Sequence, residues 1–382
     1  MPEDNLNQWP HVVALAFASA VGTMGFNTLP VTLGIFAAEF GFTEDQLGYL
    51  AGIGGLAAFM TFASSYFWVH RVSLRSGIRL GTLLLLGSIS ILFVADSFVW
   101  FLGFMFLLNA AGAIIYVTAL SALGSTSHPT RAFSISIGAQ VLVAGALVFS
   151  IPGWIYPQYG WPGFVWVFML PCVVLLGVLP RVPSLQLAQL ENAAPQEGHG
   201  EVQLFSVWLA VAACGVYFLG LNAVWTFVER IGNEAGLDSS YVGTVIGSGL
   251  VIGILGAIVA SVVRISVRTA MVIVFALFAL LVWTFSGELS AARFAIAVFL
   301  LNTVWNFSLP FQWAAVAALG GPRYVSLIPA AIAAGNTVGA SAAGVLIVWG
   351  GYSPVYAWFL VFIGVSVVMF IRASRGLTLQ HV

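Results

Sequence analysis

Apolar stretches long enough to cross a bilayer recur along the whole chain, at 12–38, 46–69, 78–95, 99–124, 133–156 and 163–180, then at 204–228, 241–263, 270–286, 294–319, 326–349 and 354–371. A helix of about 20 apolar residues spans the hydrocarbon core, and none of these stretches alternates polar with apolar as a barrel strand does. The pattern predicts twelve helices, with the short 78–95 and 270–286 stretches giving the weakest signal. The longest polar interval, Arg181 to Gln203, is rich in Gln, Glu, Gly and Pro and separates six spans from six. It reads as a flexible or partly amphipathic linker. The expected organisation is therefore an N-terminal six-helix bundle over 1–180, a linker over 181–203 and a C-terminal six-helix bundle over 204–382. The fold class is an all-α polytopic membrane protein.

Composition removes the soluble alternatives. Of 382 residues, 60% are hydrophobic and 7% charged, against about 25% charged in ordinary soluble domains, so a water-soluble globule is excluded. A net charge of -1 offers no polybasic surface, and no nucleic-acid partner is expected. Cys172 and Cys214 lie in apolar runs and suggest neither a disulfide framework nor a metal site. The opening residues carry Glu3 and Asp4 and no basic residue, the wrong flank for a cleaved signal peptide, so the run from Val12 is expected to be retained as the first span.

Every basic residue other than histidine is an arginine. With a cytoplasmic N-terminus, Arg71, Arg75, Arg79, Arg131, Arg181, Arg264, Arg268, Arg323, Arg372 and Arg375 all fall on the inside, ten of the twelve, leaving Arg230 and Arg293 outside. Positive-inside bias predicts such a split, and dropping one span would scramble it. Both termini are accordingly expected in the cytoplasm, with the linker.

The two halves repeat each other. A shift of 195 residues lays Phe40 to Gly48 over Ala235 to Gly243 and pairs Gly25 with Gly220, Asn27 with Asn222, Glu39 with Glu234, Gly52 with Gly247 and Gly54 with Gly249. A shift of 193 pairs Arg71 with Arg264, Arg75 with Arg268, Asn109 with Asn302 and Pro129 with Pro322. Six helices separate the paired elements, so the halves share one topology and their axis runs along the membrane normal.

Polar side chains inside the spans are the candidate chemistry, because hydrocarbon cannot hydrogen-bond them. In the tenth span Asn302, Asn306, Leu309 and Trp313 follow helical spacing on one face, with Trp305 and Gln312 beside it. Asn222, Trp225 and Glu229 share a face of the seventh, with Tyr217 further in. Asn27 stands at the repeat-equivalent place in the first, one turn before Pro30. The fourth span adds Asn109 and Tyr116, the fifth Gln140 and the eleventh Asn336. Each amide is read either as an interhelical hydrogen bond or as a pocket wall; their concentration in the tenth span favours a pocket. The expected substrate-binding set is Asn27, Asn109, Tyr116, Gln140, Asn222, Trp225, Asn302, Trp305, Asn306, Gln312 and Trp313. Gly138, Gly145, Gly335 and Gly339 read as close helix packing, as does the Gly52 to Gly55 run.

Glu229 is the one acid on the polar face of its helix and the candidate proton-coupling residue; the competing reading is an interfacial pair with Arg230. Glu39, Asp45, Asp96, Glu234, Asp238 and Glu288 read as loop or capping residues, and Thr43 with Glu44 and Asp238 with Ser239 and Ser240 sit where helix N-caps belong. His11, His70, His128, His199 and His381 do not cluster by spacing, so no metal is expected. The chain lacks GxxxxGK[ST], HExxH, GxSxG and CxxC, so neither an ATP motor, a catalytic residue nor a cofactor is expected.

On these residues the chain resembles the major facilitator superfamily, across essentially its whole length. The stretch carrying Arg71, Arg75, Arg79 and Gly81 is similar to that family's inner-loop motif, with Val69 or His70 where an acid is usual and Val72 where a glycine is usual. Arg264 to Arg268 repeats the basic part without the aspartate. The resemblance implies alternating access around a midplane site lined by the first, fourth, seventh and tenth spans, which carry most of the residues chosen above. It also implies that a strong anion is disfavoured, since no arginine stands at midplane. The segment Gly145 to Gly153 is a partial likeness to the fifth-span motif of proton-driven exporters. The expected function is secondary active transport of a small neutral or weakly charged organic solute across the bacterial inner membrane, with protons as a possible coupling partner and a monomer as the working unit. Efflux of an amphipathic compound, and a non-transporting membrane sensor, are the alternatives.

Overall fold

A computed structural model of the chain describes residues 8–124, 126, 129–186, 204–263, 265–320, 324 and 327–376. Residues 187–203, most of the expected linker, lie outside the described residues, as do Arg264, Arg323, His128, His199, His381 and the side chains of His70 and Arg131. The described chain is helical: α1 (Trp9–Asn27), α2 (Leu29–Phe40), α3 (Glu44–Trp68), α4 (Leu74–Ile91), α5 (Phe98–Gly124), α6 (Pro129–Ser150), α7 (Tyr156–Val178), α8 (Leu204–Glu234), α9 (Ser239–Val262), α10 (Val267–Phe285), α11 (Ala291–Gly320), α12 (Ile328–Gly350) and α13 (Tyr352–Ala373).

Among the described residues eleven helical runs are long and apolar enough to cross a membrane, and the longest, Ile135–Arg181, is 47 residues. At about 1.5 Å per residue that run is twice a bilayer's need. It is interrupted at Gly160, whose φ of 56° and ψ of -149° are not helical, so it counts as the fifth and sixth spans and restores twelve. The loop expected near 157–162 has shrunk to that one glycine, a conformation an L side chain rarely adopts. Just before it, Ile151–Ile155 forms a π-helical turn containing Pro152, where the missing N–H and the ring widen the helix. The first span is also broken. α1 ends at Asn27, and Thr28 turns back to bond Met24 O through its N–H and its hydroxyl. Pro30 cannot supply the next helical N–H.

Packing divides the chain into two compact units, Met1–Leu29 with Met60–Glu197 and Pro30–Phe59 with Gly198–Val382. The boundary falls at the α1/α2 break and inside α3, so 30–59 packs with the C-terminal helices although it belongs to the N-terminal half in chain order. In the first unit α1 packs on α5 and α6, and α4 on α5. A Cβ on Gly22 would stand 2.8 Å from Gly112 O, so only glycine permits that approach. In the second unit α8 packs on α12 and α13, and α9 on α11. Gly335 and Gly339 lie against the backbone of Gly215 and Leu219, as expected of packing glycines; Gly138 does not, because nothing lies within 4 Å of where its Cβ would be. Interior-facing and lipid-facing glycines look alike in an apolar sequence.

The repeat reappears in two arginines. Arg75 donates to Val182 O at 2.8 Å and Pro180 O at 3.1 Å, and Arg268, 193 positions on, donates to Ser374 O at 2.6 Å. Each ties the start of one helix to the carbonyl end of the last helix in its half, where the helix dipole attracts a cation. The basic positions of the inner-loop motif thus find helix-end carbonyls where no acid is present.

Candidate functional site

In the second unit α8 and α11 meet through aromatic and polar side chains. The ring of the fully buried Trp225 lies 5.6 Å from that of Trp305, and Phe218 stands edge-on to Trp305 at 6.0 Å. Ser308 Oγ is 2.7 Å from the Tyr217 hydroxyl and accepts from Gln312 Nε2 at 3.1 Å. From α8, Asn222 Nδ2 donates to Asn336 O of α12 at 3.2 Å. The other stripe of α11 has different neighbours. Asn302, wholly buried, and the half-buried Asn306 lie beside Gly249 and Gly253 of α9. Their amides bond back along their own helix, to Val298 O and Asn302 O, each at 2.9 Å. One polar cluster in sequence is thus two surfaces in space, one turned to α8 and one to α9.

These hydrogen bonds orient the amides. A carbonyl only accepts, so Asn222 and Asn302 must present Nδ2 to it and keep Oδ1 for another partner. Asn222 Oδ1, Asn302 Oδ1, Gln312 Oε1, Asn336 Oδ1 and Trp313 Nε1 are buried and make no hydrogen bond among the described residues. Leaving such an atom unmet costs about 1–3 kcal/mol, so a native group in this state calls for an explanation.

The first unit treats its polar residues differently. Asn27 Nδ2 donates to Thr23 Oγ1 at 3.3 Å, Thr23 Oγ1 lies 3.3 Å from Gln140 Oε1, Gln140 Nε2 donates to Ser136 Oγ at 3.2 Å, and Ser136 and Ser19 share a 2.5 Å contact. Asn27 and Gln140 are therefore brought together, through a threonine that the sequence reading passed over. The 0, 4, 8 spacing of Ser19, Thr23 and Asn27 was the available signal. Asn109 bonds Met105 O at 2.9 Å, and the Tyr116 ring lies edge-on to Phe62 at 6.1 Å.

Glu229 is buried, 7% exposed, five residues before the end of α8. Asn233 donates to its Oε1, and its Oε2 has no hydrogen-bond partner among the described residues. Its carboxyl fills the place a side chain on Gly34 of α2 would occupy, and Gly34 is 195 positions away, its repeat equivalent. The competing reading, a pair with Arg230, is not what forms among the described residues. Consecutive helical residues point about 100° apart, and Arg230 instead reaches Glu44 of α3, through Nε at 2.8 Å and a terminal nitrogen at 2.5 Å, with Glu234 at 3.8 Å. Tyr352 closes the group by donating to Glu234 at 3.1 Å. Glu44, read from sequence only as a capping position, is an ion-pair partner; the capping is done by Thr43 with Gln46, whose Oε1 accepts the Thr43 N–H at 3.0 Å. Below this pair Gly48, Gly52 and Gly55 of α3 lie against Gly344, Ser341 and Thr337 of α12, the packing role expected for the Gly52 to Gly55 run. Asp238 caps α9 by accepting from Ser240 N and Tyr241 N. No group of three or more metal-ligating side chains occurs among the described residues.

The family description Major Facilitator Superfamily matches residues 15–326. No curated protein matches the chain by sequence. Among solved structures, the nucleoside transporter NupG is similar with a TM-score of 0.70 at 13% identity, covering 95% of this chain and 98% of that one, and a point mutant of it with 0.68 at 11%, with the same coverage. A bacterial homolog to the human lysosomal transporter Spinster, in an inward-facing and occupied conformation, gives 0.63 at 16%, covering 97% and 98%. At these identities the likeness is one of fold alone.

Proposed function

Since the chain belongs to the major facilitator superfamily, and is on that ground a secondary transporter of small molecules rather than an enzyme, we propose that its solute is a neutral or weakly charged organic molecule, moved by alternating access and coupled to protons. The observation that carries this reading is the set of buried acceptors in the second unit without a partner among the described residues, on Asn222, Asn302, Gln312 and Asn336, together with the Trp313 indole N–H in the same condition. Carboxamides in apolar surroundings suit a solute that hydrogen-bonds without a full charge, and the paired Trp225 and Trp305 suit one with a flat apolar face. Asn306 is proposed as a further binding residue of the second unit, and Asn27, Asn109, Tyr116 and Gln140 as binding residues of the first, their own hydrogen bonds exchanged as the solute binds. Nucleosides, the solutes named for one structural relative, have this chemistry and head the panel of probes.

Glu229 is the proposed proton carrier. Its carboxyl makes no ion pair with the neighbouring cation among the described residues, since Glu44 engages that cation, so taking up or losing a proton changes the charge buried against Gly34. The protein works in the bacterial cytoplasmic membrane as a monomer, with both termini cytoplasmic. Efflux of an amphipathic compound is the second reading, favoured by the π-helical turn at Pro152 inside the exporter-like Gly145 to Gly153 segment.

The test is a screen of neutral solutes in sealed proteoliposomes, with and without an imposed proton gradient, in both orientations. Saturable transport of an uncharged solute, accelerated by the gradient, is expected. Transport confined to strong anions would overturn the solute class, and indifference to the gradient would overturn proton coupling.

A further inference from the structure

A groove of about 720 Å³ lies on the second unit between the start of α8, α10 and the last half of α13. Its walls include Phe205, Phe275, Leu360, Gly364 and Val365, and its one charged lining residue is Arg372, in the last turn of α13. Phe205 is 80% exposed, Val365 44%, and Arg372 is exposed, so this is outer surface rather than core. A protein of this family presents such surface to lipid.

Three features go beyond general lipid contact. First, the groove has the depth of one leaflet: the twelve-residue rise from Leu360 to Arg372 is about 18 Å at 1.5 Å per residue, and half of a roughly 30 Å hydrocarbon core is about 15 Å. Second, it is a built concavity. A Cβ on Gly364 would come within 3.2 Å of the Phe275 ring, so the glycine lets that ring lie against α13 as the floor. Third, the charge is at the mouth. The Arg372 side chain has no hydrogen bond or ion pair among the described residues, Arg375 follows one turn later, and the 54% exposed Trp208, edge-on to Tyr324, sits one turn beyond Phe205, where an aromatic belt marks the headgroup level.

We propose that this groove is a binding site for one anionic phospholipid, its acyl chain lying along Gly364 and Val365 and its phosphate on Arg372. A guanidinium presents paired donors that match phosphate oxygens. An anionic headgroup leaves that attraction unopposed, whereas a zwitterionic one brings its own ammonium to the arginine, so the site discriminates by charge.

Native mass spectrometry of the intact protein taken from vesicles of equal phosphatidylglycerol and phosphatidylcholine tests this. The wild type should retain phosphatidylglycerol in preference, and Arg372→Gln should lower that retention about 5-fold, the effect of one basic residue on an anionic lipid. Arg372→Lys should keep most of the preference, and Val365→Trp, which fills the groove from a lipid-facing position without touching the core, should reduce retention of both lipids. Equal retention of the two lipids by the wild type, an unchanged preference in Arg372→Gln, or full retention in Val365→Trp would each overturn the site. Should Arg372→Gln not fold, the lysine and tryptophan variants decide it.

Discussion

The polar interiors of the two units are made from the same residue types and reach different ends. In the first, Ser19, Thr23, Asn27, Ser136 and Gln140 form a continuous chain in which each side chain serves another. In the second, Asn222, Asn302 and Gln312 each engage one partner through nitrogen and leave the oxygen unmet, and Asn336, Thr32, Thr226, Glu44 and Glu229 each also hold a buried oxygen without a partner among the described residues. No buried atom of this kind falls in the first unit among the described residues. In the first unit serine and threonine link the amides, because a hydroxyl both donates and accepts, whereas a carboxamide bonded to a backbone carbonyl, as at Asn222 and Asn302, still presents an acceptor. Repeat-equivalent Asn27 and Asn222 thus differ because a threonine stands beside the first and a backbone carbonyl beside the second.

The comparison breaks most sharply at Glu229. Glu229→Gln keeps the shape of the carboxamide-for-carboxyl site and removes the exchangeable proton; accumulation driven by a proton gradient should collapse by about tenfold or more, the factor that 1.4 kcal/mol supplies, while solute exchange without a gradient persists. Uphill transport at wild-type level would remove Glu229 from coupling. Next in size is the contrast between repeat-equivalent amides. Asn222→Ala should weaken solute affinity by roughly 5- to 150-fold, equivalent to about 1–3 kcal/mol for a partner left buried. Asn27→Ala should act mainly on stability, by about 0.5–1.5 kcal/mol for an internal hydrogen bond, with a much smaller change in binding; equal affinity losses in the two variants would erase the distinction between the units. Glu44→Gln should cost about 1 kcal/mol, as befits a partly exposed pair. Its signature should be local: faster hydrogen exchange over 30–59 with the rest of the second unit protected, and a uniform change would show that Arg230 does not hold that segment. The smallest effects belong to the arginine pair. Arg75→Ala and Arg268→Ala should each lower thermal stability by about 0.3–1 kcal/mol, the range for a cation at a helix C-terminus, and a clear effect from only one would mean the repeat does not extend to this contact.

Several of these contacts were legible early and others were out of reach. Asn302, Asn306 and Trp305 stand out in any reading of α11, since few polar residues interrupt its apolar run. That the asparagines turn to Gly249 and Gly253 of α9 while Trp305 turns to Trp225 of α8 does not follow from spacing, because both directions are apolar and equally open to a packed helix. Arg230 shows the same limit. Its sequence neighbour Glu229 looked like its partner, and the actual partner, Glu44, is 186 residues away. The break near Pro30 was readable from the proline; that the chain changes packing unit there was not.

By itself the sequence determined the number of spans, the repeat and the places where helices must stop or bend. Those follow from local physics: the length of an apolar run against bilayer thickness and the missing N–H of proline. Tertiary structure alone decided that 30–59 packs with the C-terminal helices, that Glu229 lies against Gly34 and that, among the described residues, the buried amide oxygens without a partner fall in the second unit. In a soluble helix the apolar stripe announces which face is buried. In lipid both faces are apolar, so the rotation of each helix, and with it every polar partnership, is settled only by close packing against its neighbours.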